Sequence, residues 1–297
     1  MTTIIDGKTL AASIRAEINE ETSGILKERG EKPGLAVVLA GDDPASAVYV
    51  RLKEKACAEV GMASFQHNLP STVTQEELLA LIDKLNHDNS VNGILIQLPL
   101  YSHLDSNAAL DRVDPAKDVD GFHPVNVGLL SQNLATLMPC TPAGCMEMLD
   151  RYNIPIEGAH AVVVGRSNIV GKPLAAMMLH RNATVTICHS RTRDLKSITR
   201  QADILVAAIG RPKMITADMV KPGATVLDVG ISKVENKLFG DVDFEQVKDV
   251  AGFITPVPGG VGPMTIAMLL SNTILAYKMQ RGLIVSMQDD RGRKIKG

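Results

Sequence analysis

Short apolar runs alternate with stretches of helical period along almost the whole chain, and this alternation constrains the fold more than any other feature of the sequence. Such a pattern is that of βα units wound around a mainly parallel sheet. In the first half it predicts a strand at 34–40 (GLAVVLA), a turn at 41–44 (GDDP), a helix from about Ala45 to Val60 and a strand from about Ser64 to Leu69. Thr74 and Glu77 have the spacing of a capping box that opens the next helix, and a strand follows at 93–98 (GILIQL). Over 114–128 (DPAKDVDGFHPVNVG) the periodicity stops and a polar loop is expected, the kind of segment that carries function.

A second α/β block starts near Thr141 and Pro142, read as the N-cap and first residue of a helix. Strands are predicted at 159–165, 183–189, 202–210, 224–231 and 252–257, with a helix through His180 and a last one from Met264 to about Gln280. A length of 297 residues suits two domains. The expected fold is therefore α/β: an N-terminal α/β domain of residues 1–138 plus 271–297, and a Rossmann-type doubly wound domain of residues 139–270, with a cleft between them.

Composition excludes several classes of function. A net charge of -2 and 3% aromatic residues without Trp argue against a nucleic-acid partner. The start MTTIIDGKTL has no apolar core behind a basic segment, and no run of eighteen apolar residues occurs, so the expectation is a cytoplasmic protein without a membrane span. Cys57, Cys140, Cys145 and Cys188 form no C-x-x-C pair and the histidines lack ligand spacing, so reduced thiols and no metal are expected. The basic tail at 291–297 (RGRKIKG) reads as a solvated chain end.

The segment VVVGRSNIVGKP at 162–173 is a buried strand, a turn from Gly165 to Gly171 and a helix start. It is not G-x-G-x-x-G, since Ser167 stands where the second glycine would be, yet it is placed to offer backbone N–H groups and a helix N-terminus to a pyrophosphate. It also lacks the spacing of a hydrolase elbow, which makes Ser167 a poor nucleophile. In NAD-selective sites a carboxylate at the end of the next strand accepts from the ribose 2′-OH. Here that strand ends in ICHSRT at 187–192, with Ser190 and Arg191. Together with Arg166 they suit a 2′-phosphate, favouring NADP; ordinary surface residues after a strand are the alternative.

Tyr49 and Lys53 have the Tyr-x-x-x-Lys spacing by which short-chain dehydrogenases build an acid/base pair. In that group the pair follows the cofactor turn, whereas here it precedes Gly165 by more than a hundred residues, so that reading fails. At about 100° per residue Tyr49, Leu52, Lys53, Ala56 and Val60 form one helical stripe. Lys53 on it is either a snorkelling edge residue or a desolvated amine able to trade protons near neutral pH. Gln97 ends an apolar strand and either reaches the lysine or a ligand, or faces the surface. Asp118 and Asp120 sit on a turn with Gly121, where a carboxylate either grips an amidine-like edge or makes an Asx-turn. PVPGGVGP at 256–263 is a loop at a strand's carboxyl end, where α/β sheets bind ligands.

Taken together, SAVYVRLKEKAC at 46–57, ILIQLPL at 94–100, DPAKDVDGFHP at 114–124, PCTPAG at 139–144, VVGRSNIVGKP at 163–173 and ITPVPGGVGPMT at 254–265 resemble the bifunctional methylenetetrahydrofolate dehydrogenase/cyclohydrolase family, the FolD type. The resemblance implies NADP-dependent oxidation of 5,10-methylenetetrahydrofolate and hydrolysis of the methenyl product to 10-formyltetrahydrofolate, in a homodimer. It implies that Lys53 handles protons, that Tyr49 packs along the folate, that Gln97 tunes the lysine and that Asp120 grips the pterin. It further implies that Gly165, Arg166, Ser167, Ser190, Arg191 and Ile231 line the NADP site, with Pro258, Gly259 and Gly260 near the folate. A dehydrogenase without the hydrolytic step, or an NADP-binding regulatory protein, are the rival readings.

Overall fold

A computed structural model of the chain describes residues 2–134, 136–235 and 237–283; the basic tail singled out above lies outside them. Its elements are, in order, β1 (Thr3–Ile4), α1 (Gly7–Arg29), β2 (Gly34–Leu39), α2 (Pro44–Glu59), β3 (Ala63–Asn68), α3 (Gln75–His87), β4 (Gly93–Gln97), α4 (Ser106–Arg112) and α5 (Pro124–Ser131). They continue with α6 (Cys140–Arg151), β5 (His160–Val164), α7 (Gly171–His180), β6 (Thr184–Cys188), α8 (Leu195–Thr199), β7 (Ile204–Ala207) and β8 (Thr225–Asp228). The hairpin β9 (Ser232–Val234) and β10 (Lys237–Phe239), α9 (Phe244–Val247), β11 (Phe253–Ile254) and α10 (Val261–Gln280) complete the order. Among the described residues no helix is long and apolar enough to cross a membrane.

The chain divides into two units: residues 13–140 with those from 269 onward, and residues up to 12 with 141–268. The first unit is built on a three-stranded parallel sheet in the order β3-β2-β4, with Leu39 opposite both Asn68 and Gln97. Ala36 and Val38 of β2 and Ile94 and Ile96 of β4 pack on Leu78, Ile82 and Leu85 of α3. The expected capping box is present: Thr74 Oγ1 accepts from Glu77 N while the Glu77 carboxylate accepts from Thr74 N. Two reciprocal bonds satisfy donors that a helix start otherwise leaves open.

In the second unit six parallel strands run in the order β1-β11-β8-β7-β5-β6. The chain leaves β5 for β6 on one side and returns to β7 on the other, so a topological switch point lies between the carboxyl ends of β5 and β7. Ala161 to Val164, Leu205 to Ala207 and Val226 to Leu227 are fully or almost fully buried, as parallel strands covered on both faces require.

Several expectations are corrected. The strands at 202–210, 224–231 and 252–257 are shorter than their apolar runs, because the runs continue into loops at the sheet's carboxyl edge. The loop expected over 114–128 is interrupted by α5, capped by His123 and started by Pro124; PVNVGLLS mixes Gly with β-branched residues and shows no helical stripe. Helix α6 starts at Cys140, so Thr141 and Pro142 lie in its first turn, and the Thr141 hydroxyl bonds Thr265 instead of capping. The N-terminal residues, read as part of a 1–138 domain, carry β1 into the second unit, where Thr3 and Ile4 pair with Phe253 and Ile254. Helix α1 had no sequence-level assignment, although Ala11, Ile14, Ile18 and Ile25 recur at helical spacing and are buried.

Candidate active site

Helix α2 starts where Asp43 caps Ser46, whose hydroxyl also donates to Leu98 O at 3.2 Å. That second bond ties the helix start to the chain just beyond β4. Along α2 the buried positions are Ser46, Val50, Ala56, Cys57 and Val60, whereas Tyr49 and Leu52 are 39% and 46% exposed. The expected stripe is thus rotated by about one residue: the seam runs through Val50, Lys53 and Cys57. Lys53, half-buried on this seam, donates from Nζ to Gln97 Oε1 at 2.9 Å. Gln97 Nε2 in turn donates to Leu98 O at 2.9 Å, which turns the amide oxygen toward the lysine.

Burial lowers the Lys53 pKa below the ordinary lysine value, while the Asp120 carboxyl and the thiols of Cys140 and Cys57 pull the other way. Burial likewise raises the Asp120 pKa; Lys53 opposes that shift and Asp118 adds to it. Loss of water works against both charges, and each charge supports the other. The result is an amine that holds its proton less tightly than usual and a carboxyl that holds one more tightly, shifts in the direction a general acid/base needs.

The loop bearing Asp120 is held from several sides. Lys117 donates its amine to Leu85 O at 3.0 Å and Asp88 O at 2.8 Å, capping the end of α3. Asp118 is 5% exposed and accepts from Phe122 N, His123 N and Asn126 Nδ2. The two aspartates left open by the sequence are thereby separated: Asp118 braces the turn and Asp120 stands beside the lysine. Gly121 between them and the loop's return has φ +72, and a Cβ there would lie 2.6 Å from Met138 C and Pro139 N. Two residues given no individual role in the sequence also belong here. Cys140 Sγ donates to Val119 O at 3.2 Å, and Asn272 Nδ2 donates to Val119 O and Met138 O at 2.8 and 2.7 Å. Cys140 stands in the PCTPAG motif, but nothing local to either residue marks these partners.

The second unit gathers the remaining candidates at the carboxyl ends of its parallel strands. Gly165, after β5, has φ +135, and a Cβ on it would lie 2.2 Å from Ala208 O. On Gly171 a Cβ would lie 2.2 Å from Gly165 O, so the turn closes only with glycine at both places. Ser167 Oγ accepts from Val170 N and Gly171 N, bracing the turn from within. Arg166 is exposed beside it, and Ser190 and Arg191 are exposed after β6, where Arg191 N donates to His189 Nδ1. Ile231 follows β8 with 46% exposure. Pro258, Gly259 (φ +101) and Gly260 follow β11. The donor set fits a phosphorylated dinucleotide: a turn closed by two glycines at the start of α7, whose dipole favours anions, with exposed Arg166 on it and exposed Arg191 after the next strand. Lys53, Tyr49, Gln97 and Asp120 all belong to the first unit, the dinucleotide candidates all to the second.

The lowered Lys53 pKa has a sign that stability measurements can read. Between its folded and unfolded pKa values the unfolded chain holds a proton at this residue that the folded chain has lost, so folding stability gained from this group rises with pH. Wild type should therefore gain stability relative to Lys53→Met as pH rises from 7 to 9.5, by at most about 1.4 kcal/mol per pH unit. Urea unfolding of both proteins at the two pH values checks this; a pH-independent difference would mean an ordinary solvated lysine.

The arrangement has close counterparts. Residues 5–120 match the family model of the tetrahydrofolate dehydrogenase/cyclohydrolase catalytic domain, and residues 139–281 that of its NAD(P)-binding domain. A bifunctional protein FolD of Moorella thermoacetica is 60% identical over 276 residues, covering 93% of this chain and 98% of that protein. The crystal structure of the bifunctional FolD of Campylobacter jejuni aligns with a TM-score of 0.92 at 51% identity, over 94% of this chain and 100% of that one. The FolD of Trypanosoma brucei, solved with NADP cofactor and inhibitor, aligns with a TM-score of 0.90 at 40% identity, over 94% and 98% of the two chains. The chain therefore belongs to the tetrahydrofolate dehydrogenase/cyclohydrolase family.

Proposed function

We propose that the protein oxidises 5,10-methylenetetrahydrofolate to the 5,10-methenyl cation with NADP, then hydrolyses that cation to 10-formyltetrahydrofolate. The observation that carries this reading is the Lys53 to Gln97 hydrogen bond beside the Asp120 carboxyl in a chain of this family. NADP, when bound, supplies the acceptor for the hydride of the bridging carbon, and the nicotinamide has to lie against that carbon for transfer. Asp120 accepts N–H bonds from the amidine-like edge of the pterin, and Tyr49 packs along the folate one helical turn before Lys53.

Hydrolysis needs one water and a group to move its protons. The neutral Lys53 amine takes a proton as the water oxygen bonds the methenyl carbon, and returns one to N5 as the carbon–N5 bond breaks. The second water proton leaves to solvent, and the formyl group stays on N10. Gln97 accepts from the lysine and keeps its amine aimed at the same point through the exchange. Both reactions pass through one cation, so one set of side chains serves both.

Arg166, Ser190 and Arg191 favour NADP over NAD, because they supply cations and a hydroxyl where a carboxylate for a free 2′-OH would stand. The protein works in the cytoplasm on this reading, where its four unpaired, buried cysteines stay reduced; cell fractionation checks the compartment. It is also a homodimer, as the family resemblance implies. The free edge of β3, ASFQHN, carries no Lys, Glu, Asp or Pro, the devices that protect edge strands. Gln66 Nε2 and His67 Nε2 on it are buried without a hydrogen-bond partner in the single chain.

Mixed with methylenetetrahydrofolate and NADP, the wild type should produce reduced cofactor and then show decay of the methenyl absorbance. Methenyl accumulation without decay would indicate a dehydrogenase alone, and absence of turnover a regulatory protein. Lys53→Met should lose hydrolysis by a factor of 100 or more, within the roughly 10²–10⁴-fold range of general acid–base catalysis, while still binding NADP; full hydrolysis by this variant would remove the lysine from the mechanism. Initial rates should give a kcat/KM about tenfold or more higher with NADP than with NAD, and parity would remove the role assigned to the two arginines and the serine. Sedimentation should return twice the 31.8 kDa chain mass for wild type and less for His67→Lys; a monomeric wild type would refute the dimer.

A further inference from the structure

One buried carboxylate in the second unit lies outside every motif singled out in the sequence, and it organises the sheet edge that the dinucleotide reading uses. Asp241 is fully buried. Its Oδ2 accepts from Ile209 N at 2.5 Å and Gly210 N at 3.0 Å, and its Oδ1 from Arg211 N at 2.7 Å. These are three consecutive backbone donors in the loop after β7. Asp241 is itself held in place: its own N–H and that of Val242 donate to Asp228 Oδ1 and Oδ2, both at 2.9 Å. Asp228 Oδ1 also accepts from Gly230 N at 3.1 Å. A Cβ on Gly230 would lie 2.1 Å from Asp241 Cγ, so the loop after β8 rests directly on the same carboxylate.

The place of these loops gives the clamp its meaning. Gly165 fits only because its missing Cβ clears Ala208 O, the carbonyl just before the clamped residues. The loop after β7 therefore forms one wall of the switch point whose other wall is the Gly165–Gly171 turn. The loop after β8 leads to Ile231. Three neighbouring N–H groups aimed at one point need an acceptor with several lone pairs, and a carboxylate provides it where an amide or hydroxyl runs short.

We propose that Asp241 is a positioning residue for the dinucleotide: without touching it, the carboxylate fixes the loops at 209–211 and 229–231 in the shape the bound cofactor needs. This rests on the NADP-dependent reading above. The experiment is Asp241→Asn, followed by fluorescence titration with NADPH, the KM for NADP, and hydrolysis of methenyltetrahydrofolate in the absence of any dinucleotide. An amide accepts with one oxygen only and sets an NH₂ group against backbone donors. The dissociation constant for NADPH and the KM for NADP should rise roughly tenfold or more, with hydrolysis retained within about twofold. Unchanged affinity in the folded variant overturns the proposal, and so does parallel loss of both activities with unaltered affinity.

A second variant covers the case in which Asp241→Asn does not fold. Gly210 has φ +72 and open space around it, so Gly210→Ala disturbs the loop's backbone preference while keeping the carboxylate. Its NADPH affinity should fall about threefold to tenfold with hydrolysis intact; wild-type affinity there also overturns the proposal. Failure of the wild type itself to bind NADPH would instead sink the underlying reading.

Discussion

The site in the first unit depends on a lysine amine taken out of water and given one neutral partner. A full positive charge moved into such a place costs several kcal/mol after relaxation. One charge-assisted hydrogen bond to Gln97 returns about 1.5–3 kcal/mol, which leaves a deficit that the amine settles by holding its proton less tightly. The Asp120 carboxyl pulls in the opposite direction. The surrounding bonds serve that balance. Ser46 and Gln97 both donate to Leu98 O, so the helix carrying the lysine and the strand carrying its partner are anchored to one carbonyl.

Local chemistry made much of this legible in the sequence. The capping box at Thr74 and Glu77, the buried strands β2 and β4, and the glycines of the 165–171 turn follow from rules that act within a few residues. Gln97 reaching Lys53 is one of the alternatives the residues leave open and the one the resemblance implies, and the 2.9 Å bond across 44 residues selects it. The phase of α2 escaped because the sequence holds two stripes a residue apart. Tyr49 and Leu52 are no less apolar than Val50 and Cys57, and only packing against the sheet buries the second pair. The residues by themselves do not separate Asp118 from Asp120, which only the family resemblance singles out: which one meets backbone donors is decided by the path of 122–126, downstream of both. The clamp at Asp241 was invisible, since its donors are 30 to 32 residues away in the chain.

Buried aspartates recur through both units, and their hydrogen bonds sort them by task. Asp118, Asp228 and Asp241 each take three N–H donors, nearly all of them from the backbone of a loop. Such a carboxylate has few lone pairs left for a ligand, and its negative charge is spent on holding loop amides that would otherwise be buried unpaired. Among the described residues Asp120 accepts no backbone N–H, and its neighbours are a buried amine and a thiol. Lone pairs left open beside a desolvated cation are what a substrate's N–H edge requires.

The glycines next to the structural aspartates belong to the same logic. The segments DVG at 228–230 and GDV at 240–242 face each other, and each glycine lies where a side chain would strike the opposite carboxylate. A Cβ on Gly240 would fall 1.9 Å from Asp228 Oδ2, just as one on Gly230 would meet Asp241. Two acids can thus share a dry site because each is wrapped by backbone amides, Asp228 by those of Asp241, Val242 and Gly230 and Asp241 by those of 209–211, which spreads the charge over many dipoles. Burial still pushes the Asp228 carboxyl up to about 7, with the nearby Asp241 charge adding to it, so amide wrapping offsets only part of the desolvation. Loops held in this way owe their shape to electrostatics at the sheet edge more than to apolar packing, and this fits a surface that must accept a charged, solvated ligand without collapsing in its absence.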